Sequence, residues 1–284
     1  MNQHSKRLSE KNRTSADTEK LVDLFCTPPP AHEKQTRFLS PDHAEIREIP
    51  FEGYPLVSYA WGSGNPVLLV HGWGSRAGHM AALARMLLRS GFRVVAFDGP
   101  AHGRSIQTVQ KPRSSMFAFC RAIHEMDRHF GPFHGIAGHS MGAAAAVFTA
   151  AGHKLLSNFR VNTRKLALIS CPANVARMAE RFCRNAGLNP EQEKRLMAGL
   201  ENAFHFSAAD YQVNDVLKNV NTRVLVVHDA NDEEIPLSDG QLLKAARKDI
   251  ALIVTHGSGH IKILASKSMI EPVVRFFSEN NFHR

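Results

Sequence analysis

The sequence predicts an α/β protein, a mostly parallel eight-stranded sheet with helices on both faces, and three observations carry that expectation. Short unbroken apolar runs recur at Val67–Val70, Val94–Phe97, Leu166–Ile169 and Val224–Val227, the pattern of strands buried on both faces. Segments with apolar residues at helical spacing alternate with these runs, as crossovers between parallel strands require. The chain has 284 residues, 43% hydrophobic and 21% charged, enough to bury one large core without a metal or disulfide staple.

The elements follow in chain order. Residues 1 to about 20 are polar and basic, with Lys6, Arg7, Lys11 and Arg13, and read as a disordered tail. Pro28-Pro29-Pro30 and Pro41 break the next stretch, which reads as an arm docked on the domain surface by Leu21, Val22, Leu24, Phe25, Phe38 and Leu39. Residues 1–45 are thus tail and arm. The core is expected over 46–171 and 222–284. Two short strands flank Gly53, at Ile46–Phe51 and Leu56–Trp61. The four runs above supply four more strands, and Ile136-Ala137 and Ala251–Val254 complete the eight. Helices are expected over Met80–Arg89, Ser115–Phe130, Ala143–Ala151, Leu242–Arg247 and Val273–Phe277.

Residues 172–221 break the rhythm, because about 50 residues exceed what a simple crossover needs. Val175, Met178, Ala179, Phe182 and Cys183 fall at i, i+3, i+4, i+7 and i+8, and Pro190 opens a second helix carrying Leu196, Leu200 and Phe204. This is a helical insertion, expected to serve as a cap.

Composition excludes several classes. Cys26, Cys120, Cys171 and Cys183 form no CxxC pair, and the nearest two lie 12 residues apart; that is neither a zinc spacing nor a disulfide framework. The net charge of +9 is dispersed, without a Lys/Arg run interleaved with aromatics, so no nucleic-acid partner is expected. No run of about 18 uncharged apolar residues exists, so stable membrane insertion is not expected. Leu21–Phe25 is too short for a secretory apolar region, which makes a cytoplasmic location the expectation. The 16 histidines show no convincing metal spacing. Oligomeric state is not legible.

Chemistry concentrates where the predicted strands end. Gly138-His139-Ser140-Met141-Gly142 follows a strand and precedes an alanine-rich helix. A nucleophile on so sharp a turn needs small residues two positions either side. His71-Gly72-Trp73-Gly74-Ser75 ends another strand, and its glycines let backbone N–H groups approach a substrate oxygen. Trp73 and Met141 N–H are the natural pair for an oxyanion hole. An acid and then a base should follow the serine. His228-Asp229-Ala230-Asn231-Asp232-Glu233-Glu234-Ile235-Pro236 offers four carboxylates, and His256-Gly257-Ser258-Gly259-His260 offers two histidines. His71, His102 and His139 read as hydrogen-bonded loop histidines, and Cys171 as packing.

With these motifs the chain resembles the α/β-hydrolase superfamily over residues 50 to 280, of the serine-nucleophile, bacterial carboxylesterase and lysophospholipase-like kind. The HGxG loop matches His71–Gly74. Asp98-Gly99-Pro100-Ala101-His102-Gly103-Arg104-Ser105 matches the family's D-x-P-G-H-G-x-S element, with alanine at 101 for the usual glycine. The resemblance places the acid at Asp232 and the base at His260, with Asp229, Glu233 and Glu234 left as a solvated acidic loop. Asp229 and His256 remain the alternatives. It also gives the insertion its place between the sixth and seventh strands, where members carry a cap. The implied activity is ester cleavage through an acyl-enzyme on Ser140, acting on a small-molecule acyl ester without a cofactor. A thioesterase or acyltransferase taking a carrier-bound acyl group, and a non-catalytic binding module, are the competing expectations.

Overall fold

The computed structural model describes residues 16–29, 44–106, 112–152, 154–204 and 212–279. Eight strands form one sheet: β1 (Glu45–Phe51), β2 (Tyr54–Trp61), β3 (Pro66–Val70), β4 (Arg93–Phe97), β5 (Gly135–His139), β6 (Lys165–Ile169), β7 (Arg223–Asp229) and β8 (Ala251–Thr255). Their order is β1-β2-β4-β3-β5-β6-β7-β8. β2 runs antiparallel to β1 and β4, and every pairing from β4 to β8 is parallel. Each predicted strand is present.

Burial follows position. β5 and β6 are buried along their whole length, whereas the edge strand β1 is mostly exposed and the edge strand β8 buries only Thr255. Alternate residues of the central strands (Val67, Leu69, Val94, Ala96, Ala167, Ile169) join Leu83, Leu87, Met269, Val273 and Phe277 in one core layer. That layer sits under α2 (Ala81–Arg89) and under α10 (Lys267–Ser278), which follows the one-turn α9 (Gly259–Lys262). α3 (Met116–Phe130), α4 (Met141–Ala151), α7 (Val213–Leu217) and α8 (Leu237–Ala246) pack in succession. In α4, Ala143 to Ala146 are fully buried, because methyl side chains let a helix lie directly on a sheet. Lys165, a charge in an otherwise apolar strand, is buried with its ammonium donating to the carbonyls of Phe276 (2.8 Å), Phe277 (3.0 Å) and Glu279 (2.6 Å). It closes the C-terminal end of α10, where a cation meets the helix dipole and the unpaired carbonyls.

The chain divides into two units, Pro28–Ala173 with Val213–Arg284, and Met1–Thr27 with Asn174–Gln212. The second differs from the sequence expectation at both ends. Residues 16–26 form a helix, α1, rather than the end of a tail and the start of an arm on the core. Val22 and Cys26 of α1 bury with Cys183 and Leu196, which lie on α5 (Ala176–Asn185) and α6 (Pro190–Phe204). Phe25 meets Phe182 edge to face at 5.3 Å. A Cβ on Gly199 would lie 2.7 Å from Val22 and 2.8 Å from Thr18, so that glycine sets the close crossing of α1 and α6. Pro190 opens α6 as expected. Asn189 and Gln192 cap it reciprocally, each side chain accepting the other's backbone N–H at 3.0 and 2.9 Å. Residues 213–221, expected in the insertion, belong with the sheet through α7. Phe38 and Leu39 lie outside the described residues. No described helix is long and apolar enough to cross a membrane.

Candidate active site

Ser140 occupies the turn between β5 and α4 with φ +52° and ψ −123°, a backbone region that costs an L-residue about 1–3 kcal/mol. Its N–H donates to Ile169 at 2.9 Å, and its carbonyl accepts Ala143 N–H at 3.0 Å and Ala144 N–H at 3.2 Å. The turn is thus pinned between the neighbouring strand and the first turn of α4. The two elbow glycines are steric necessities. A Cβ at Gly138 would meet Ala143 Cα at 2.5 Å, and one at Gly142 would meet His71 O at 2.3 Å. Met141 opens α4, so its N–H sits at the positive end of the helix dipole.

The loop after β3 lies against this turn, for a Cβ on Gly72 would stand 3.0 Å from Ser140 Cβ. Two histidines fix its path. His71 Nδ1–H donates to Gly72 O at 2.7 Å while its Nε2 accepts Gly99 N–H at 2.8 Å. His102 Nδ1–H donates to Pro100 O at 2.7 Å while its Nε2 accepts Gly74 N–H at 3.0 Å. Both rings must be neutral to accept. Burial drives them there, lowering His71 to about 4 and His102 to about 3. The Trp73 ring stands edge-on to His102 at 5.1 Å. Trp73 and Met141 N–H are therefore carried on two rigid, adjacent pieces of backbone.

Asp98 ties the neighbouring loop down. Its carboxylate accepts Ala77 N–H at 2.9 Å, Arg104 N–H at 2.8 Å and the Tyr59 hydroxyl at 3.1 Å. A Cβ on Gly103 would strike that carboxylate at 2.4 Å, which explains the glycine there.

Asp232 and His260 meet. His260 Nδ1–H donates to Asp232 Oδ2 at 2.8 Å, and Asp232 Oδ1 accepts the N–H groups of Glu234 and Ile235 at 2.9 and 2.8 Å. Both residues are buried. Burial pushes the Asp232 carboxyl up, but the bonds from His260 and Ile235 outweigh it and hold the group below the usual carboxylate range. His139, beside the serine, joins the two halves of the site. Its Nε2–H donates to the backbone carbonyl of His260 at 2.9 Å, and the two rings lie 4.7 Å apart. Burial lowers His139 to about 3, so it stays neutral. His256, the other histidine of that loop, is exposed, and it is His260 that bonds to Asp232.

Asp229 departs from the solvated role the sequence suggested. It is fully buried and clamps the acid loop to the histidine loop. One oxygen accepts the Thr255 hydroxyl at 2.8 Å and Ser258 N–H at 3.2 Å; the other accepts Asn231 N–H at 3.0 Å and Gly259 N–H at 3.1 Å. Burial raises its carboxyl, and these four donors more than reverse that, leaving it below the usual range. Such a group adds stability that is complete above about pH 4 and is lost as pH falls through the lower folded value. In Asp229→Asn an amide NH₂ would face two of the four donors. A loss of about 3 kcal/mol at pH 7, or roughly 10 °C in Tm, is expected, together with a flatter acid limb. Thermal melts of both proteins from about pH 3 to 7 check this; superimposable limbs would exclude Asp229 as the clamp. The signal available in the sequence was position. Asp229 ends the strand whose apolar run begins at Val224, where an unpaired carboxylate is costly.

Glu234, also assigned to the solvated loop, is exposed but places a carboxylate oxygen 3.7 Å from His260 Nε2. Cys171 is fully buried, and burial pushes its thiol well above its ordinary range, as suits a packing residue. Among the described residues no three His, Cys, Asp or Glu side chains are grouped to hold a metal.

A serine on a strained strand-to-helix turn, beside a glycine loop and an Asp–His pair at parallel strand ends, defines the layout of an α/β hydrolase. The sequence profile of the alpha/beta hydrolase family matches residues 67–275, and the chain belongs to that family. A non-heme haloperoxidase from Rhodococcus erythropolis is 40% identical over 47 residues, 16% of this chain and 17% of that protein. A haloperoxidase-like protein of Mycobacterium phage D29 is 34% identical over 94 residues, 32% of this chain and 33% of that one. The chain thus spans about a third or less of the length of these relatives. Among solved structures, an esterase from Pyrococcus furiosus superposes with a TM-score of 0.62 at 18% identity, covering 88% of this chain and 96% of the esterase. A bromoperoxidase from Bacillus anthracis gives 0.62 at 17% identity, over 83% and 100%. These similarities are of fold.

Proposed function

We propose that the protein is a serine hydrolase that cleaves carboxylic esters through Ser140, His260 and Asp232. The observation that carries this is the buried Asp232–His260 bond of 2.8 Å, held beside Ser140 by the His139 link to the His260 backbone. With Nδ1 on the acid, Nε2 is the nitrogen left to take the serine proton. Ser140 Oγ bonds to the acyl carbon while its proton passes to His260 Nε2. The carbonyl oxygen gains charge facing Trp73 and Met141 N–H. The carbon–oxygen bond to the alcohol then breaks as His260 returns the proton to the leaving oxygen. Water, deprotonated by the same nitrogen, attacks the acyl-enzyme and frees the acid and Ser140. None of these steps calls on a cofactor.

The test is turnover of p-nitrophenyl esters of graded chain length beside the matching acyl-CoA thioesters, with the fluorophosphonate-labelled residue identified by mass spectrometry. Ester turnover exceeding thioester turnover, and label on Ser140, are expected. Faster thioester cleavage would move the reading to a carrier-dependent enzyme, and absence of both turnover and label would leave a binding module.

A further inference from the structure

We infer that Glu234 is a specificity residue for the alcohol side of the substrate, selecting esters whose leaving group carries a positive charge over those whose leaving group carries a negative one. This rests on the triad reading above. Asp232 occupies His260 Nδ1, so Nε2 is the atom that hands a proton to the departing alcohol. The leaving oxygen must then stand within about 3 Å of Nε2. The Glu234 carboxylate already lies 3.7 Å from that nitrogen, which puts it within about 7 Å of the leaving oxygen.

Its position is fixed from behind. Glu234 N–H donates to Asp232 Oδ1 at 2.9 Å, so the bond that orients the acid also sets where the Glu234 side chain begins. The side chain is 57% exposed. Its charge is therefore partly screened but available to an incoming group. Two other carboxylates of the loop are committed elsewhere: Asp232 to His260, Glu234 N–H and Ile235 N–H, and Asp229 to its four donors. Glu234 is the carboxylate aimed at the reacting nitrogen from the solvent side. An amino-alcohol or quaternary ammonium alcohol would place its cation against Glu234, whereas a carboxylated or phosphorylated alcohol would place like charges together. The overall charge of +9 favours acidic partners at long range. Glu234 opposes them at the point of reaction, where short-range pairing decides discrimination.

The experiment uses three methylphosphonothiolates that differ only in the leaving thiol: thiocholine, ethanethiol and mercaptoacetate. In each, Ser140 Oγ bonds to phosphorus, the phosphorus–sulfur bond breaks, and the serine proton leaves by way of His260 with the thiol. Modification of Ser140 is followed by mass spectrometry, so no natural substrate is needed. The wild type should react at least about tenfold faster with the thiocholine reagent than with the mercaptoacetate reagent. The ratio should shrink in about 0.5 M salt. Because thiocholine is also the more acidic leaving thiol, the readout is the change between variants: Glu234→Gln should lower the ratio at least about threefold and Glu234→Lys should lower it further. Equal ratios in wild type and Glu234→Gln overturn the proposal while label on Ser140 leaves the triad reading intact. Failure of the neutral ethanethiol reagent to modify Ser140 overturns that reading, and the proposal with it.

Discussion

Ser140→Ala is expected to lower kcat on a neutral ester by about 10⁶-fold, the scale on which removal of a triad nucleophile acts. The substitution deletes one oxygen and leaves the machinery around it. Asp232 still orients His260 through the 2.8 Å bond, and the loops carrying Trp73 and Met141 keep their backbone ties. Residual catalysis of about 10³–10⁴ over water should therefore persist through the oxyanion donors. Fold stability should change little. The strain at φ +52° belongs to the backbone and Cβ, and alanine keeps both. Ser140→Gly, by contrast, relieves the strain and should be more stable than either. Steady-state rates and melts on the three proteins check this. Turnover in Ser140→Ala within about tenfold of wild type would remove Ser140 as nucleophile.

The middle of the sheet was legible because β3, β4, β6 and β7 each hold an unbroken apolar run, and a residue buried on both faces leaves no polar gap in the pattern. The glycines of the candidate site were legible for a related reason. Gly72, Gly138 and Gly142 are each where a Cβ would strike the opposite loop or helix, so the fold cannot vary them freely. What stayed hidden depends on partners distant in sequence. α1 gains its stability from Cys183 and Leu196, more than 150 residues along the chain, and its own polar first turn reads as tail. Lys165 looks misplaced in a strand until the end of α10 supplies three carbonyls to its ammonium. Asp229, Asp232 and Glu234 are alike as residue types within one loop. Their separate positions, as clamp, histidine partner and exposed carboxylate, follow from which donors each meets, and those donors come from β8 and the 256–260 loop as well as from the acid loop itself.

Asp232→Asn is expected to reduce kcat by about 10⁴-fold with little loss of fold, and the hydrogen bonds specify why. Asp232 Oδ1 accepts two backbone N–H groups, from Glu234 and Ile235. An asparagine keeps its carbonyl oxygen there, because turning the amide would set its NH₂ against both donors. The NH₂ is then forced toward His260 Nδ1. That nitrogen must accept instead of donate, which moves the ring proton to Nε2. A protonated Nε2 cannot receive the serine proton, so the histidine is present, correctly placed and in the wrong tautomer. Asp232→Ala removes the acid without imposing that tautomer, but it strands the Glu234 and Ile235 N–H groups in a buried site and should cost about 2–4 kcal/mol of stability. The two variants separate chemistry from support. The asparagine should be nearly inactive and nearly as stable as wild type, and the alanine inactive and clearly less stable. Nitrogen-15 NMR of His260 reads the tautomer directly. A His260 ring still protonated at Nδ1 in Asp232→Asn would overturn this account of the acid.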